Sequence, residues 1–207
     1  FGLVKHNNNS ISAITSAGNL AQGKMTLIKE QTASSSSSIS FVNGSSSVVL
    51  DNTYPIYVFK FINLNPATDD KKFQFNLSAD TGSNYNVSKT STYFSAYHNE
   101  SGSSTSLAYR TGNDLANGTG VQVFTESAGN GSDESAVGEL TLFNPSSTTF
   151  VKHFIARTST YYVSDYAMDV YTAGYANTTS AIDAIQFSVE SGGNFDGTIK
   201  LYGIKDS

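Results

Sequence analysis

The chain is 207 residues long, the length of one ordinary domain or of one domain carrying an arm. Ser, Thr and Asn supply 71 residues, charged side chains only 14%, and 12 basic against 17 acidic groups leave a formal net charge of −5. That balance excludes a nucleic-acid binder working through a basic footprint. The absence of cysteine excludes disulfide scaffolds, Cys-ligated zinc and thiol catalysis.

Hydrophobic residues make up 38% of the chain, 25 of them Tyr or Phe. No apolar run approaches the roughly 18–20 residues of a membrane-spanning helix.

Residues 1–24 read as an extended N-terminal arm. Phe1 to Gly23 carries an Asn triplet and small residues, with neither a helical nor a strand period. It shows neither an initiator Met nor the basic and apolar regions of a signal peptide, so a processed end or a missing upstream segment is expected. Such an arm buries too little apolar surface to order alone. Phe1, Leu3, Val4, Ile11 and Ile14 are its candidate anchors, on a partner or on a neighbouring subunit.

Residues 25–207 read as one β-sandwich. Ser34 to Ser38 is a serine run, but the flanking Ile39, Phe41, Val48, Val49 and Leu50 predict two short strands around it, unlike a linker. In PIYVFKFINLN both alternating sets are apolar, which predicts a central strand. In KKFQFNLSAD, Phe73, Phe75 and Leu77 share one face opposite Gln74, Asn76 and Ser78, the pattern of a half-buried strand.

Further strands are predicted in TYFSAYHNE, GVQVFTES, AVGELTLFN, TTFVKHFIART, YAMDVYTAGYA, AIQFSVES and GTIKLYGIK. Turns are predicted at Asn43-Gly44, Asn117-Gly118, Asn130-Gly131 and Asp196-Gly197. Short strands, turn chemistry and no amphipathic helix imply an all-β, antiparallel, jelly-roll-like sandwich. Tyr57, Phe59, Phe61, Phe73, Phe75, Ile185, Phe187 and Val189 are its expected core. There is no internal repeat of fixed period.

Catalytic chemistry is not legible. His6, His98 and His153 are the only histidines and lack metal-ligand spacing. His153, alternating with Val151 and Ile155, is expected on a core or interface face, and His98 at a strand end in solvent. There is no nucleophile elbow and no phosphate loop. Asp69-Asp70-Lys71-Lys72 reads as a charged turn. The adjacent carboxylates Asp133 and Glu134, like Glu139 farther on, lack the opposed placement of a glycosidase pair. Neither an enzyme nor a cofactor or metal is expected. Eight Asn-x-Ser/Thr triplets, beginning at Asn8, Asn43, Asn76, Asn86, Asn99, Asn117, Asn130 and Asn177, read as composition.

Tyrosine is the remaining signal, since its ring is apolar and its hydroxyl stays wet. Most tyrosines read as core or cross-strand pairs. The polar stretches 98–109 and 161–175 nevertheless make Tyr97, His98, Asn99, Tyr109, Tyr161, Tyr162, Tyr166, Tyr171 and Tyr175 candidate contacts for a glycan or another subunit. A homotrimer is expected, because closed symmetry buries surplus tyrosines without fibre formation.

The segments LFNPSSTTFVKHFIARTSTYYVSDYAMD and YANTTSAIDAIQFSVESGGNFDGTIKLYGIK resemble virion structural proteins of tailed bacteriophages, especially those of marine bacteria and cyanobacteria. MTLIKEQTASSSSSISF, FINLNPATDD and YNVSKTSTYFSAYHNESG extend the resemblance over about Met25 to Lys205. It implies a non-enzymatic particle-surface protein made in the bacterial cytoplasm. Its partners would be other virion proteins, itself and host surface glycans, with no nucleic acid and no membrane insertion. Two jobs stay open: a tail fibre or spike module for host attachment, or a capsid decoration or head-fibre protein.

Overall fold

The computed structural model of the protein describes residues 25–205. The expected arm and its anchors Phe1, Leu3, Val4, Ile11 and Ile14 lie outside the described residues. Twelve strands follow: β1 (Met25–Ser36), β2 (Ser38–Val42), β3 (Ile56–Pro66), β4 (Phe73–Ser78), β5 (Lys89–Asn99) and β6 (Thr105–Tyr109), then β7 (Gln122–Val123), β8 (Ala136–Phe143), β9 (Lys152–Tyr162), β10 (Tyr166–Ala176), β11 (Ala184–Val189) and β12 (Phe195–Ile204).

All pairings are antiparallel, in one sheet of order β1-β12-β3-β8-β9-β10-β5-β6 and a smaller one of order β2-β11-β4-β7. The chain crosses between sheets from β1 to β2 to β3 to β4, then from β7 to β8, β11 and β12. With β1-β12-β3-β8 facing β2-β11-β4-β7, this is the double Greek-key winding of a jelly roll. Two hairpins are inserted into it. β5–β6 enters between β4 and β7, β9–β10 enters between β8 and β11, and both widen the large sheet beyond β8.

The expected core set is buried throughout. Phe187 of β11 is its hub, with the rings of Phe41, Phe59, Phe61, Phe75 and Phe124 at centroid distances of 5.2–6.4 Å. Phe73 on Phe195 and Phe75 on Phe154 extend the aromatic layer between the sheets. Edge-to-face geometry dominates, as the ring quadrupoles favour. The serine run marks the corner where the chain leaves the large sheet: β1 ends at Ser36, Ser37 bends and β2 begins at Ser38.

Four expectations are corrected in detail. Val48 to Leu50 forms no strand. Val48 and Leu50 are core residues in a loop, because Asn43 Oδ1 accepts the Leu50 N–H at 2.9 Å in place of a ladder partner. In GVQVFTES only Gln122–Val123 pairs as a strand, since the Thr125 hydroxyl takes the Phe73 N–H at 2.8 Å.

Asp196-Gly197 is a bulge inside β12 and not a turn. Gly197 has φ +133° and sits so close to β3 that a Cβ would lie 2.7 Å from the Asn63 carbonyl oxygen. Finally, His153 is exposed and off the core face; the buried set of β9 is Lys152, Phe154, Ala156, Thr158 and Thr160. The Phe154 contact with Phe75 fixes that parity, and a shift by one residue would turn every side chain over. Lys152 is tolerated there because its Nζ donates to the Thr178 carbonyl at 3.1 Å.

Candidate functional site

Among the described residues no second sheet lies over β10 and β5 in the widened half of the large sheet. The segment after β6 first runs along the free edge of β5, where Arg110 N–H donates to Tyr93 O, Ser91 N–H to Leu115 O and Lys89 N–H to Gly118 O, all at 2.8–3.0 Å. It reaches over the inner face where the Leu115 N–H donates to Ser91 Oγ and Thr158 Oγ1 to the Phe124 carbonyl. The buried side chains here mix polar Ser91, Ser95, Thr158 and Thr172 with Tyr93, Met168 and Val170. Gln122 closes the layer, accepting from Ser91 Oγ and donating to the Asn113 carbonyl.

Where this cover ends, a cleft of about 700 Å3 opens. Tyr97 of β5, Met168 and Tyr166 of β10 and Tyr162 of β9 form one wall. Their register puts Tyr162 opposite Tyr166 and Tyr97 opposite Met168. The rings meet edge to face, Tyr97 to Tyr166 at 5.2 Å and Tyr162 to Tyr166 at 5.7 Å. Ring faces are thereby presented at right angles to one another. The facing wall carries Arg110 to Asn113, Lys72 and Glu126.

The electrostatics of this wall are unusual for a chain with so few charges. Glu126 keeps only 10% of its side chain exposed, and its Oε1 has no hydrogen-bond partner among the described residues. Arg110 Nε stands 3.9 Å from that oxygen, beyond hydrogen-bond range, and donates instead to Ser95 Oγ at 3.0 Å. Tyr93 Oη is also buried without a partner. Burial first, then the charge of Glu126 and its hydrogen-bonding pull, pushes the Tyr93 hydroxyl far above its ordinary value. Tyr162 is pushed up by burial and by the charges of Asp70 and Glu126. Lys72 Nζ donates to Asn113 Oδ1 at 3.0 Å and steadies the loop.

Of the residues singled out from sequence, Tyr97, Tyr162 and Tyr166 come together in this cleft; Tyr109 borders it at the end of β6, while its register with Phe94 puts it on the outer face and its hydroxyl donates to Asp114. The others do not. Asn99 Oδ1 accepts the Ser104 N–H and its Nδ2 reaches the Ser101 and Ser103 hydroxyls, so its role is to shape a turn. His98, Tyr161, Tyr171 and Tyr175 alternate to the opposite, outer face. Arg110, Glu126, Asn113 and Lys72 were not anticipated. Arg110 and Asn113 belong to a polar stretch, RTGND, that follows Tyr109 directly. Nothing in GVQVFTES marks Glu126 as buried.

The outer face carries a second feature, a transverse row crossing all eight strands. Glu30, Lys200, Lys60, Glu139, Arg157, Tyr171, Phe94 and Tyr109 are successive register partners. Glu30 pairs with Lys200 at 2.9 Å, Lys60 with Glu139, and Arg157 with Asp169 at 3.0 Å. Arg157 lies 4.9 Å over the Tyr171 ring, which stacks on Phe94 at 4.9 Å and 6°. Beside this row Met25, Leu27 and Ile155 are 43–51% exposed.

Three of the carboxylates noted in the sequence have structural partners: Asp69 accepts the Asn130 N–H, Glu134 the Gly131 N–H, and Glu139 pairs with Lys60. Among the described residues no group of three or more His, Cys, Asp or Glu could hold a metal ion, and no helix is long and apolar enough to cross a membrane. Comparison with protein-family models, curated proteins and solved structures finds no match to this chain.

Proposed function

We propose that this chain is a non-enzymatic surface protein of a tailed-bacteriophage particle, working as a tail fibre or spike module that attaches to glycans on the host. The observation that carries this reading is the cleft, where three tyrosine rings face Arg110, Asn113 and Glu126 across about 700 Å3. Apolar ring faces with a few convergent polar groups are what a small-ligand site requires. The winding adds weight, since jelly rolls recur in viral capsid and lectin domains, although function belongs to the site and not to the fold. In this reading the protein is a homotrimer held to other virion proteins by residues 1–24, and it uses no cofactor.

The competing reading, a head decoration or head-fibre protein, is favoured by the outer face. Exposed Met25, Leu27 and Ile155 beside a row of mutually neutralised charges suit a protein partner better than a sugar. Copy number per particle separates the two, since a tail appendage is present in a few to a few dozen copies and a decoration protein in hundreds. Soluble protein should also block adsorption of the particle to its host. High copy number with no effect on adsorption would overturn the attachment reading.

A further inference from the structure

We infer that the tyrosine cleft takes a neutral pyranose with adjacent free hydroxyls, the Glu126 carboxylate accepting from one hydroxyl and Arg110 donating to its neighbour. The inference rests on the attachment reading and names the ligand class of that same site.

A buried carboxylate oxygen without a donor is costly, because desolvation is not repaid. Glu126 Oε1 is in that position with 10% of its side chain exposed. Tyr93 Oη, buried beneath the cleft, is near enough to the Glu126 carboxylate for a weak hydrogen-bonding interaction, yet among the described residues neither Tyr93 Oη nor Glu126 Oε1 has a partner at ordinary hydrogen-bond distance. Arg110 spends Nε on Ser95, and its terminal amino groups make no hydrogen bond among the described residues. A donor-hungry carboxylate and an acceptor-hungry guanidinium therefore stand side by side, 3.9 Å apart at closest approach, which is too long for them to satisfy one another.

Charge then selects the ligand. An ammonium group would suit Glu126 but would meet Arg110 and Lys72. A carboxylate or phosphate would suit Arg110 but would meet Glu126, with Asp70 close enough to act on Tyr162. Like charges at this range are costly where water is excluded. Two adjacent hydroxyls, each both donor and acceptor, satisfy both protein groups and add no charge. The tyrosine wall supplies the remaining contact, a ring face against the apolar C–H face of a pyranose. The volume falls within the few hundred to about 1,000 Å3 typical of ligand sites, so more than one sugar ring fits.

The test is calorimetric titration of the 207-residue chain with three sets of oligosaccharides: neutral, uronate-bearing or phosphorylated, and amino-sugar. Neutral members with adjacent hydroxyls should bind. Glu126→Gln, which keeps the shape and removes the charge, should weaken them about tenfold, as expected for a hydrogen bond that loses its charge assistance. Tyr166→Ala should weaken them at least as much, while Tyr171→Phe on the outer face should stay within twofold. Unchanged melting curves would show that the variants fold. Binding confined to the charged sets, or an affinity indifferent to Glu126→Gln, overturns the inference. If no oligosaccharide binds but the labelled protein decorates host cells, the ligand class is wrong and attachment stands. If neither binds, both readings fall.

Discussion

Lys89 donates from Nζ to Asn76 Oδ1 across 2.5 Å, tying β5 of the large sheet to β4 of the small one. The lysine is wholly buried, its second acceptor is the Val87 carbonyl at 2.8 Å, and Asn76 is held by its own bonds to Leu77 N–H and Thr119 O. Burial pushes the amine down from about 10.5 to about 8.

This bond makes stability depend on alkaline pH. The unfolded chain keeps the Lys89 proton up to about 10.5, whereas the folded chain releases it near 8. Between those limits the unfolded state binds more protons, so folding stability rises with pH. The rise is roughly 1 kcal/mol from pH 8 to 9, below the range near 10 where the tyrosines of the unfolded chain ionise and oppose it. Lys89→Met should flatten it. Urea midpoints measured across that range would refute the assignment if both proteins showed the same slope.

Phe187→Ala should be among the most destabilising single changes. It removes five ring contacts at once and leaves a cavity between two sheets, a cost of about 3–5 kcal/mol. Total stability for such a domain is roughly 5–15 kcal/mol. Phe150→Ala, at a ring 69% exposed, should change stability by less than about 0.5 kcal/mol. Chemical denaturation of the two variants side by side checks the contrast.

Two glycines with positive φ should behave differently. Gly197 lies in the β12 bulge, where a Cβ would meet Asn63 O at 2.7 Å and Leu64 Cδ2 at 2.9 Å, so Gly197→Ala combines backbone strain with a clash. A loss of at least about 2 kcal/mol is expected. Gly102, at φ +72° with nothing near its Cβ position, should lose only about 1 kcal/mol on the same change. Equal melting temperatures for the two variants would refute the steric argument.

The bulge also marks where sequence reading stops. An Asp-Gly pair signals positive φ, and Gly197 has it, but the pair cannot say whether the chain reverses or one strand merely kinks. The partner strand decides, and β3 is over a hundred residues away in the chain. β9 poses the same problem. Val151, His153 and Ile155 alternate against Phe154 and Ala156, and only the Phe75 contact from β4 selects the buried set. Strands with one apolar parity, such as Phe73, Phe75 and Leu77, were legible because no competing pattern existed. Three cleft tyrosines, Tyr97, Tyr162 and Tyr166, could be picked from the tyrosine-bearing stretches, but Glu126 could not. Its burial comes from how the 110–128 segment folds back over β5, which no local pattern encodes.

The last prediction concerns self-association. Leu27 and Ile155 are register-aligned across the outer face through Tyr202, Val58 and Thr141, and both are about half exposed. The large sheet is eight strands wide, about 34 Å at the usual strand spacing. That suffices to bury roughly 800 Å2 per subunit, as a stable interface requires. The charged row beside these residues is paired within the subunit, so bringing copies together introduces no net repulsion there. If the homotrimer forms through this face, Ile155→Glu should place an unpaired carboxylate in each contact. The trimer mass measured in solution should then fall to that of the monomer, with the β-rich circular dichroism spectrum unchanged. A double variant, Leu27→Glu with Ile155→Glu, that still sedimented as a trimer would move the interface elsewhere. A wild-type chain that is monomeric at micromolar concentration would remove the trimer altogether.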